Sequence, residues 1–435
     1  MTGSAAAKTW ALDSLDAARR RTLALTDRLG DDELLAQHSP LMSPLVWDLA
    51  HVGNQEEIWI VRRVGGRPAM RPDLDGLYDA FEHSRADRVG LPLLRPAEAR
   101  EYLAAVRART VDVLTGIELT DEAVLRGAFA FNMTAQHEHQ HGETMLVTLQ
   151  CREGPAVLSA PIPAPAETGT PLGEVLVEGG PFLMGADGDA LDRALDNERP
   201  AHRVDVPAFW IDAAPVTCAD FQRFIAAGGY EDPSWWTGAG WEHRIDAALE
   251  APLFWRREGD LWTRRRFGRV EPVPGDEPVM HVCWYEADAY ARWAGRRLPT
   301  EAEWEKAAAW DAAIGRAQPY PWGLEEPDRS RANLGQVFLE PTPAGSYPAG
   351  VSPCGAGQMI GDVWEWTATD FGAYPGFRPL LSREYSTPFF DGRYKVLRGG
   401  SFATHPHAAR ATFRNWDLPV RRQIFAGFRT ARDAD

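Results

Sequence analysis

The sequence predicts an α+β protein of two domains, in which a helical bundle precedes a mixed domain of short strands and helices. The chain has 435 residues, more than the roughly 250–300 at which single hydrophobic cores stop growing. The pattern also changes from helical periodicity to short β-rich segments across a proline-rich stretch. Most of the 17 tryptophans follow residue 200. The predicted parts are a bundle at 1–152, a linker at 153–173 and the mixed domain at 174–435.

Four amphipathic helices are predicted in the first domain. Leucines from Leu12 to Leu29 recur at helical spacing, and that helix ends at Gly30. The second helix is predicted to begin with Ser43 as its cap and Pro44 in its first turn. The third and fourth cover about 96–119 and 128–151 and complete a bundle. The long irregular stretch 63–94 is predicted to be functional, because compact domains seldom keep such loops without a role.

The mixed domain is predicted from short β-rich segments that alternate with Gly, Pro and Asp turns. The segments are Val175–Val177, Phe182–Met184, Arg203–Val206 and Phe209–Ile211. Two helical stretches are predicted at Cys218–Ala227 and around 284–308.

The net charge limits the classes of binding partner, and the cysteine spacing indicates the cellular compartment. Lys and Arg number 46 and Asp and Glu 62, for a net charge of −16, so non-specific binding to nucleic acid or anionic membrane is not expected. No apolar run reaches the roughly 18 residues of a membrane span, and no signal peptide is expected. The four cysteines form no CxxC pair. The expectation is a reduced, cytoplasmic protein with inert thiols.

The segment 136–143, which reads QHEHQHGE, carries the strongest chemical signal. On a helix, His141 lies about 40° round from His137, so both imidazoles project from one face one turn apart. Gln140 and Glu138 flank this stripe. A pair of histidines on the inner face of a bundle predicts a metal site, although two ligands need a third from another helix.

The same letters match the HExxH zinc protease motif through His137, Glu138 and His141. There two histidines bind Zn²⁺ and the glutamate is the general base. The metzincin extension is absent, because Thr144 and Val147 stand at its positions. A zinc metalloprotease therefore stays as a distant alternative.

His51, on the second predicted helix, is the best candidate for the third ligand. Three neutral imidazoles without a carboxylate leave up to three open positions on an octahedral metal. This suits Fe(II) that binds O2 and a substrate together, although the ligand set also allows Zn or Cu.

At these residues the chain resembles the hercynine oxygenases, the iron(II)-dependent sulfoxide synthases of ergothioneine biosynthesis. The resemblance rests on His51, on the His137-x3-His141-x-Glu143 motif and on four stretches of the second domain, and it covers nearly the whole chain. Those stretches are GGPFLMG at 179–185, RLPTEAEWE at 297–305, GDVWEW at 361–366 and LRGGSF at 397–402. It implies a DinB-like four-helix bundle followed by a formylglycine-generating-enzyme-like domain, a relative of the C-type lectins.

The resemblance also implies roles for residues. His51, His137 and His141 would hold Fe(II), while Gln140, Asn415 and Trp416 would line the hercynine site. An aromatic face suits the trimethylammonium of hercynine. Arg85 and Arg88 would grip the carboxylates of γ-glutamylcysteine, and Asp417 would bind its α-ammonium. The implied small molecules are therefore hercynine, a thiol or selenol donor and O2.

One departure concerns the proton donor. Ser382 stands where the family pattern has a catalytic tyrosine, and serine is a shorter and far weaker acid. Tyr385 or Tyr374 is the expected substitute. The change also admits an alternative activity, that of the related selenoneine synthases, which join a selenosugar to hercynine. Arg85, Arg88 and Asp417 favour the sulfur donor, and Ser382 favours selenium.

A third hypothesis is a binding module or a formylglycine-generating relative without metal chemistry in the bundle. The sequence disfavours the formylglycine activity, because no cysteine follows Cys354 and the C-terminal cysteine pair of that chemistry is missing. A non-catalytic role predicts that the protein binds neither metal nor betaine.

Overall fold

The computed structural model describes residues 2–158, 169, 173–187 and 193–434, and only the backbone of residues 2 and 3. The chain forms two compact units. Unit 1 contains Met1–Leu158 with Leu380–Arg383, and unit 2 contains Ser159–Pro379 with Glu384–Asp435. The short segment Leu380–Arg383, which the sequence assigns to the second domain, thus groups with unit 1. Most of the predicted linker 153–173 lies outside the described residues and stays a prediction.

Unit 1 is helical, as predicted. In its described part the α-helices are α1 (Thr2–Thr26), α2 (Asp31–Leu35), α3 (Leu45–Glu56), α4 (Pro96–Gly116) and α5 (Phe129–Cys151). The four long helices confirm the predicted bundle, and the short α2 was not predicted. Gly53 lies inside α3, where a Cβ would come within 3.2 Å of Leu103 Cδ2 and 3.3 Å of Tyr102 Cε1 on α4. The missing side chain therefore lets the two helices approach closely.

The predicted start of α3 was wrong. Pro44 itself occupies the N-cap position, the helix begins at Leu45, and no side chain caps it. The hydroxyl of Ser43 instead accepts a hydrogen bond of 2.8 Å from Nη1 of Arg88. The Ser43 hydroxyl, which the sequence pattern predicts as the cap of α3, thus binds the guanidinium of Arg88.

A π-helical segment, Glu57–Val64, continues α3. Glu57 anchors this segment, since its carboxylate accepts hydrogen bonds from the Tyr102 hydroxyl (2.7 Å), Arg62 Nε (2.7 Å) and the Met70 amide (2.8 Å). Such segments often mark functional sites. The following stretch, 65–94, is irregular apart from 3₁₀ turns at Pro72–Leu74 and Arg88–Gly90, in agreement with the predicted loop.

Unit 2 mixes short helices with small sheets. Among its described residues the helices are α6 (Cys218–Ala226), α7 (Gly238–Asp246), α8 (Trp284–Trp293) and α9 (Glu301–Ala309). The strands are β1 (Glu174–Val177), β2 (Gly180–Met184), β3 (His202–Val206), β4 (Phe209–Asp212), β5 (Trp255–Glu258), β6 (Leu261–Arg266), β7 (Arg269–Pro272), β8 (Trp310–Asp311), β9 (Arg316–Ala317), β10 (Trp364–Asp370), β11 (Lys395–Arg398), β12 (Asn415–Asp417), β13 (Ala426–Gly427) and β14 (Ala431–Asp433).

The sheets are small and mostly antiparallel. Their strand orders are β1-β4-β14, β12-β11-β10-β13, β2-β3, β5-β6-β7 and β8-β9, and only the pairing of β10 with β13 is parallel among the described strands. The four predicted strand segments became β1 to β4, and the two predicted helical stretches became α6 and the pair α8 and α9. This mixture confirms the α+β class. Helix α7 and the sheet β5-β6-β7 were not predicted.

Tryptophan and arginine build the core of unit 2. Trp304 and Trp366 are fully buried, and the indole of Trp304 donates to Glu365 Oε2 at 2.8 Å. Arg429 grips the same carboxylate through Nε and Nη2, both at 2.7 Å. These two tryptophans are therefore structural residues of unit 2.

Two of the four cysteines, Cys218 and Cys283, are buried, and burial raises the pKa of both thiols. Among the described residues, every helix is too short or too polar to cross a lipid bilayer.

Candidate metal centre

Helices α3 and α5 of unit 1 bring three imidazoles together. His51 comes from α3, and His137 and His141 come from successive turns of α5. The ring of His141 has its centroid 4.6 Å from those of His51 and His137, and the latter two centroids are 5.3 Å apart. One nitrogen from each ring lies within 4.8 Å of the others. Three such donors from two helices could hold a metal ion.

Burial keeps two of the three histidines, His51 and His137, neutral. His51 is 4% exposed and His137 9%. Burial, reinforced by the neighbouring histidines, lowers the pKa of both well below the usual 6.5. Neutral imidazole is the form that binds a metal, so little proton competition is expected at neutral pH.

Hydrogen bonds determine which ring nitrogen faces the site. His51 Nδ1 lies 2.7 Å from the backbone oxygen of Tyr78. Because a carbonyl oxygen only accepts, Nδ1 carries the proton and Nε2 keeps the lone pair. His141 Nδ1 lies 2.8 Å from Oδ1 of Asp48, a residue 1% exposed. Such partners fix tautomer and ring direction at metal-binding histidines.

Aromatic rings support two of the histidines. Trp47 stacks on His51 with 4.6 Å between centroids and 13° between planes. Trp59, from the π-helical segment, meets His137 edge-on at 4.9 Å. The guanidinium carbon of Arg88 lies 3.6 Å from the centroid of the Trp47 ring. The imidazoles are therefore held by a packed shell as well as by hydrogen bonds.

Glu138, the presumed general base of the HExxH alternative, takes part in an ion-pair cluster. It is 1% exposed, and its two oxygens each lie 2.8 Å from an arginine, Arg19 Nε and Arg107 Nη2. Both arginines also pair with Glu56 of α3, at 3.0 and 2.7 Å. A carboxylate committed to two guanidinium groups in this way is poorly suited to activating water. This feature disfavours a zinc protease.

The other predicted residues of unit 1 lie in varied surroundings. Gln140 is half-buried on α5, beside His141 in sequence. Arg85 donates from Nη1 to the backbone oxygen of Leu41 at 3.2 Å. Arg88 is buried, with 4% of its surface exposed. The charges of both arginines help to lower the pKa of His51, so both lie near the histidine cluster. Ser382 is 5% exposed and belongs to the segment Leu380–Arg383 of unit 1.

Unit 2 gathers another part of the predicted set. Asn415, Trp416 and Asp417 form strand β12. The Trp416 ring stacks on Phe371 at 4.3 Å and 8°, and the Tyr385 ring meets it edge-on at 6.1 Å. Tyr385 thus belongs to the aromatic group around Trp416.

Tyr374, the other expected substitute for the missing tyrosine, lies deeper in unit 2. Its hydroxyl donates to Glu301 at 3.5 Å. The guanidinium of Arg414 lies 4.1 Å from its ring centroid. Burial raises the pKa of Tyr374 well above its usual value. These contacts are those of a residue packed inside unit 2, and its role as the substitute stays a prediction.

Comparison with known proteins identifies the family. Residues 14–145 match the DinB superfamily and residues 159–434 match the sulfatase-modifying factor enzyme 1-like domain. Over 428 residues the chain is 53% identical to a hercynine oxygenase of Mycolicibacterium smegmatis, covering 97% of this chain and 98% of that protein. It is 55% identical over 421 residues to one of Mycobacterium tuberculosis, covering 96% and 97%.

This chain belongs to the hercynine oxygenase family. A member of this family is an oxygenase enzyme, as the sequence predicts. The second domain has a wider kinship, since 316 residues are 35% identical to a formylglycine-generating enzyme of Streptomyces coelicolor, covering 65% of this chain and 95% of that protein. Because several activities share that domain, family membership rests on the relatives matched along the whole chain.

Several supporting residues of this hercynine oxygenase-family site were not predicted. Asp48 and Trp47 precede His51 by three and four residues, which places them on neighbouring positions of one helix surface. That spacing was a usable signal. No sequence signal marks the carbonyl of Tyr78 or the ring of Trp59. Tyr78 lies in an irregular loop, and Trp59 lies in the π-helical segment. The sequence predicts the candidate ligands better than the groups that hold them.

Proposed function

We propose that this chain is a non-haem Fe(II), O2-dependent enzyme that joins γ-glutamylcysteine to the imidazole of hercynine and gives the sulfoxide of ergothioneine biosynthesis. In the overall reaction an imidazole C–H and a thiol S–H are lost and a C–S bond forms. One atom of O2 ends in the sulfoxide and the other in water, so four electrons pass from the substrates to oxygen. The observation that carries this proposal is the convergence of three buried imidazoles in a chain of this family.

The donor set fits iron. His51, His137 and His141 supply three imidazole nitrogens, and among the described residues no carboxylate or thiolate completes the group. An octahedral ion held by three protein ligands keeps three positions for small molecules. When bound, Fe(II) would supply the redox chemistry that activates O2. The protein's own residues would bind the substrates, orient them and move protons.

The proposed hercynine site uses Gln140, Asn415 and Trp416. The Trp416 ring is fixed by its stacking on Phe371, and a fixed aromatic face attracts a quaternary ammonium. The Asn415 side-chain oxygen accepts from the Trp416 amide at 2.9 Å, which leaves its amide N–H groups to donate to a carboxylate. Gln140 would orient the imidazole beside His141.

The proposed donor site uses Arg85, Arg88 and Asp417, following the resemblance. Guanidinium groups recognise carboxylates by paired hydrogen bonds, and an aspartate suits an α-ammonium. Tyr385, whose ring lies edge-on to Trp416, is the proposed proton donor, with Ser382 at the position of the family's tyrosine.

The test is a coupling assay on the purified, anaerobically Fe(II)-loaded protein. Hercynine and O2 are supplied with γ-glutamylcysteine, with cysteine or with a selenosugar, and mass spectrometry identifies the product. A coupled sulfoxide from γ-glutamylcysteine, absent in His51→Ala and His137→Ala, is the expected result. If none of the donors yields a coupled product, the proposal fails.

A second candidate, selenoneine synthase, is favoured by Ser382 alone. Serine is smaller than tyrosine and a much weaker acid, so a donor with different proton requirements would suit this position. The same assay separates the two activities. If the selenosugar couples faster than γ-glutamylcysteine, the proposed activity becomes that of a selenoneine synthase.

A further inference from the structure

We propose that Asp48 and Arg88 are positioning residues for the metal, forming a charged layer behind the histidines that orients His141 and His51. This inference rests on the proposed function, in that the three histidines hold a metal. It gives Arg88 a task beyond the grip on a donor carboxylate that the resemblance implies.

Asp48 acts directly on one ligand. Its Oδ1 lies 2.8 Å from His141 Nδ1, so a ring that donates here presents Nε2 to the other histidines. The second oxygen, Oδ2, is buried and has no hydrogen-bond partner among the described residues. A buried carboxylate that uses one oxygen is costly unless an opposite charge lies close by.

Arg88 supplies that charge. Its guanidinium lies over the ring of Trp47, the chain neighbour of Asp48. Burial lowers the pKa of Arg88 to about 10, and Asp48 opposes that shift. Arg88 therefore stays protonated at neutral pH. Its positive charge offsets the buried negative charge beside His141.

Arg88 also supports His51 through Trp47. The guanidinium, the indole and the imidazole form a stack, with 3.6 Å from the guanidinium carbon to the indole centroid and 4.6 Å from the indole centroid to that of His51. A flat cation over an aromatic face is attracted to it. The stack restricts the rotation of the His51 ring about its side-chain bonds.

Three hydrogen bonds hold the guanidinium in the stack. Nη1 donates to Ser43 Oγ at 2.8 Å, Nη2 to the Ala80 oxygen at 3.0 Å and Nε to the His83 oxygen at 3.3 Å. The same loop provides the Tyr78 carbonyl that fixes the His51 tautomer. The irregular stretch after the π-helical segment thus contacts His51 of α3 directly through Tyr78 and indirectly through Arg88 and Trp47. A guanidinium held by three acceptors is preorganised in the stack.

The charge of Arg88 and its packing role predict opposite changes in metal affinity when the side chain is removed. Loss of a nearby positive charge by itself favours binding of a divalent cation. Loss of the stack and of the charge balancing Asp48 disfavours it. Arg85 is a matched control, because its charge also acts on His51 but its guanidinium donates to Leu41 and Met42 and takes no part in the stack.

The experiment titrates metal-free full-length protein with Co²⁺ under anaerobic conditions and follows the visible d–d absorption. Outer partners of metal-binding histidines change affinity by about 10–100-fold. We expect Asp48→Asn and Arg88→Met each to weaken Co²⁺ binding by about tenfold or more. Arg85→Met is expected to leave affinity unchanged or slightly increased. Arg88→Lys keeps the charge without the flat group, and is expected to restore only part of the affinity.

A double variant tests whether the two residues act as one layer. If they do, Asp48→Asn with Arg88→Met weakens binding by less than the product of the single effects. Thermal melting of the metal-free variants checks folding, and Arg88→Lys replaces Arg88→Met should the latter not fold.

Wild-type Co²⁺ affinity in both Asp48→Asn and Arg88→Met would overturn the inference. So would an Arg88→Met variant in which only the KM for the thiol donor rises. A wild type that binds Co²⁺ through the histidines but couples no donor would leave the inference standing while the proposed function fails. In that way the two failures are distinguished.

Discussion

Tyr385 is the side chain on which we expect the fate of the thiol to depend. Its ring lies edge-on to Trp416 at 6.1 Å, within the aromatic group proposed to bind hercynine, and Ser382 cannot replace the acidity of a phenol. Tyr385→Phe keeps the ring and removes only the hydroxyl. We expect a lower kcat for coupling, an unchanged KM for hercynine and more thiol oxidised without coupling. Product ratios measured by mass spectrometry check this.

Tyr374→Phe is the matched control for that experiment. The Tyr374 hydroxyl donates to Glu301 inside unit 2, so its loss is expected to affect stability and to leave the product ratio unchanged. Equal product ratios in wild type and Tyr385→Phe would remove Tyr385 from the proton transfer.

Glu138 is predicted to stabilise the bundle rather than to act in catalysis. Removal of its charge leaves Arg19 and Arg107 with one buried carboxylate, Glu56, between them. Breaking a buried ion pair costs about 3–5 kcal/mol. Glu138→Gln is therefore expected to lower the free energy of unfolding by about that amount, measured by urea denaturation.

The comparison variant for Glu138 is Asp73→Asn. Asp73 pairs with Arg71 on the surface, where such pairs contribute about 0–1 kcal/mol. A Glu138→Gln protein as stable as Asp73→Asn would show that the cluster does not support the bundle.

At the level of elements, two helical glycines are predicted to respond differently to the same substitution. A Cβ at Gly142 of α5 meets only Arg21 Nε, at 3.9 Å, whereas at Gly53 of α3 it comes within 3.2 Å of Leu103. Alanine inside a helix gains about 1 kcal/mol over glycine, and overpacking costs about 1–3 kcal/mol. Thermal melting of the metal-free variants should place Gly142→Ala above the wild type in Tm and Gly53→Ala at or below it. Equal melting temperatures would mean that α4 adapts to the new methyl group.

The elements that the sequence predicted are those whose own periodicity determines them. Helices α1, α3, α4 and α5 follow from apolar spacing, and His137 and His141 follow from one helical turn. The sheet β5-β6-β7 was missed because arginines occupy many of its positions, among them Arg256, Arg265 and Arg269, so no apolar alternation marks it.

Hydrogen-bond partners that lie on other helices or loops cannot be predicted from local sequence. The cap of α3 was misjudged because Arg88, 45 residues away, uses the Ser43 hydroxyl. The bond between Asp48 and His141 spans 93 residues. Local pattern therefore predicts a ligand such as His141, but only tertiary structure shows what orients it.

Across the whole molecule, many cations are used inside the units. Arg19 and Arg107 neutralise glutamates in unit 1, and Arg398 and Arg414 do so in unit 2. These four arginines pair with four buried glutamates, Glu56, Glu138, Glu301 and Glu305, so the net charge of −16 is carried by the rest of the chain. This distribution agrees with the expected lack of non-specific binding to nucleic acid.

Buried histidines make the stability of the whole protein depend on pH. His281 is 5% exposed and His407 8%. Burial, aided by Arg264 and Arg422, lowers the pKa of His281 to about 3. Burial, aided by Arg193, His405 and Arg410, lowers that of His407 well below 6.5. Below about pH 6.5 the unfolded chain therefore binds protons that the folded protein does not.

The stability that these two groups contribute is present above pH 6.5 and is lost as the pH falls. Each histidine adds a slope of up to about 1.4 kcal/mol per pH unit below that value. Urea denaturation at constant ionic strength between pH 8 and pH 5.5 should show little change down to pH 7 and a steady loss below it. His281→Gln removes one of the groups, so its slope should be shallower by about one histidine's share. A free energy of unfolding that stays constant or rises from pH 7 to pH 5.5 would mean that the folded protein admits protons to these sites, and hence that their burial is relieved by opening of unit 2.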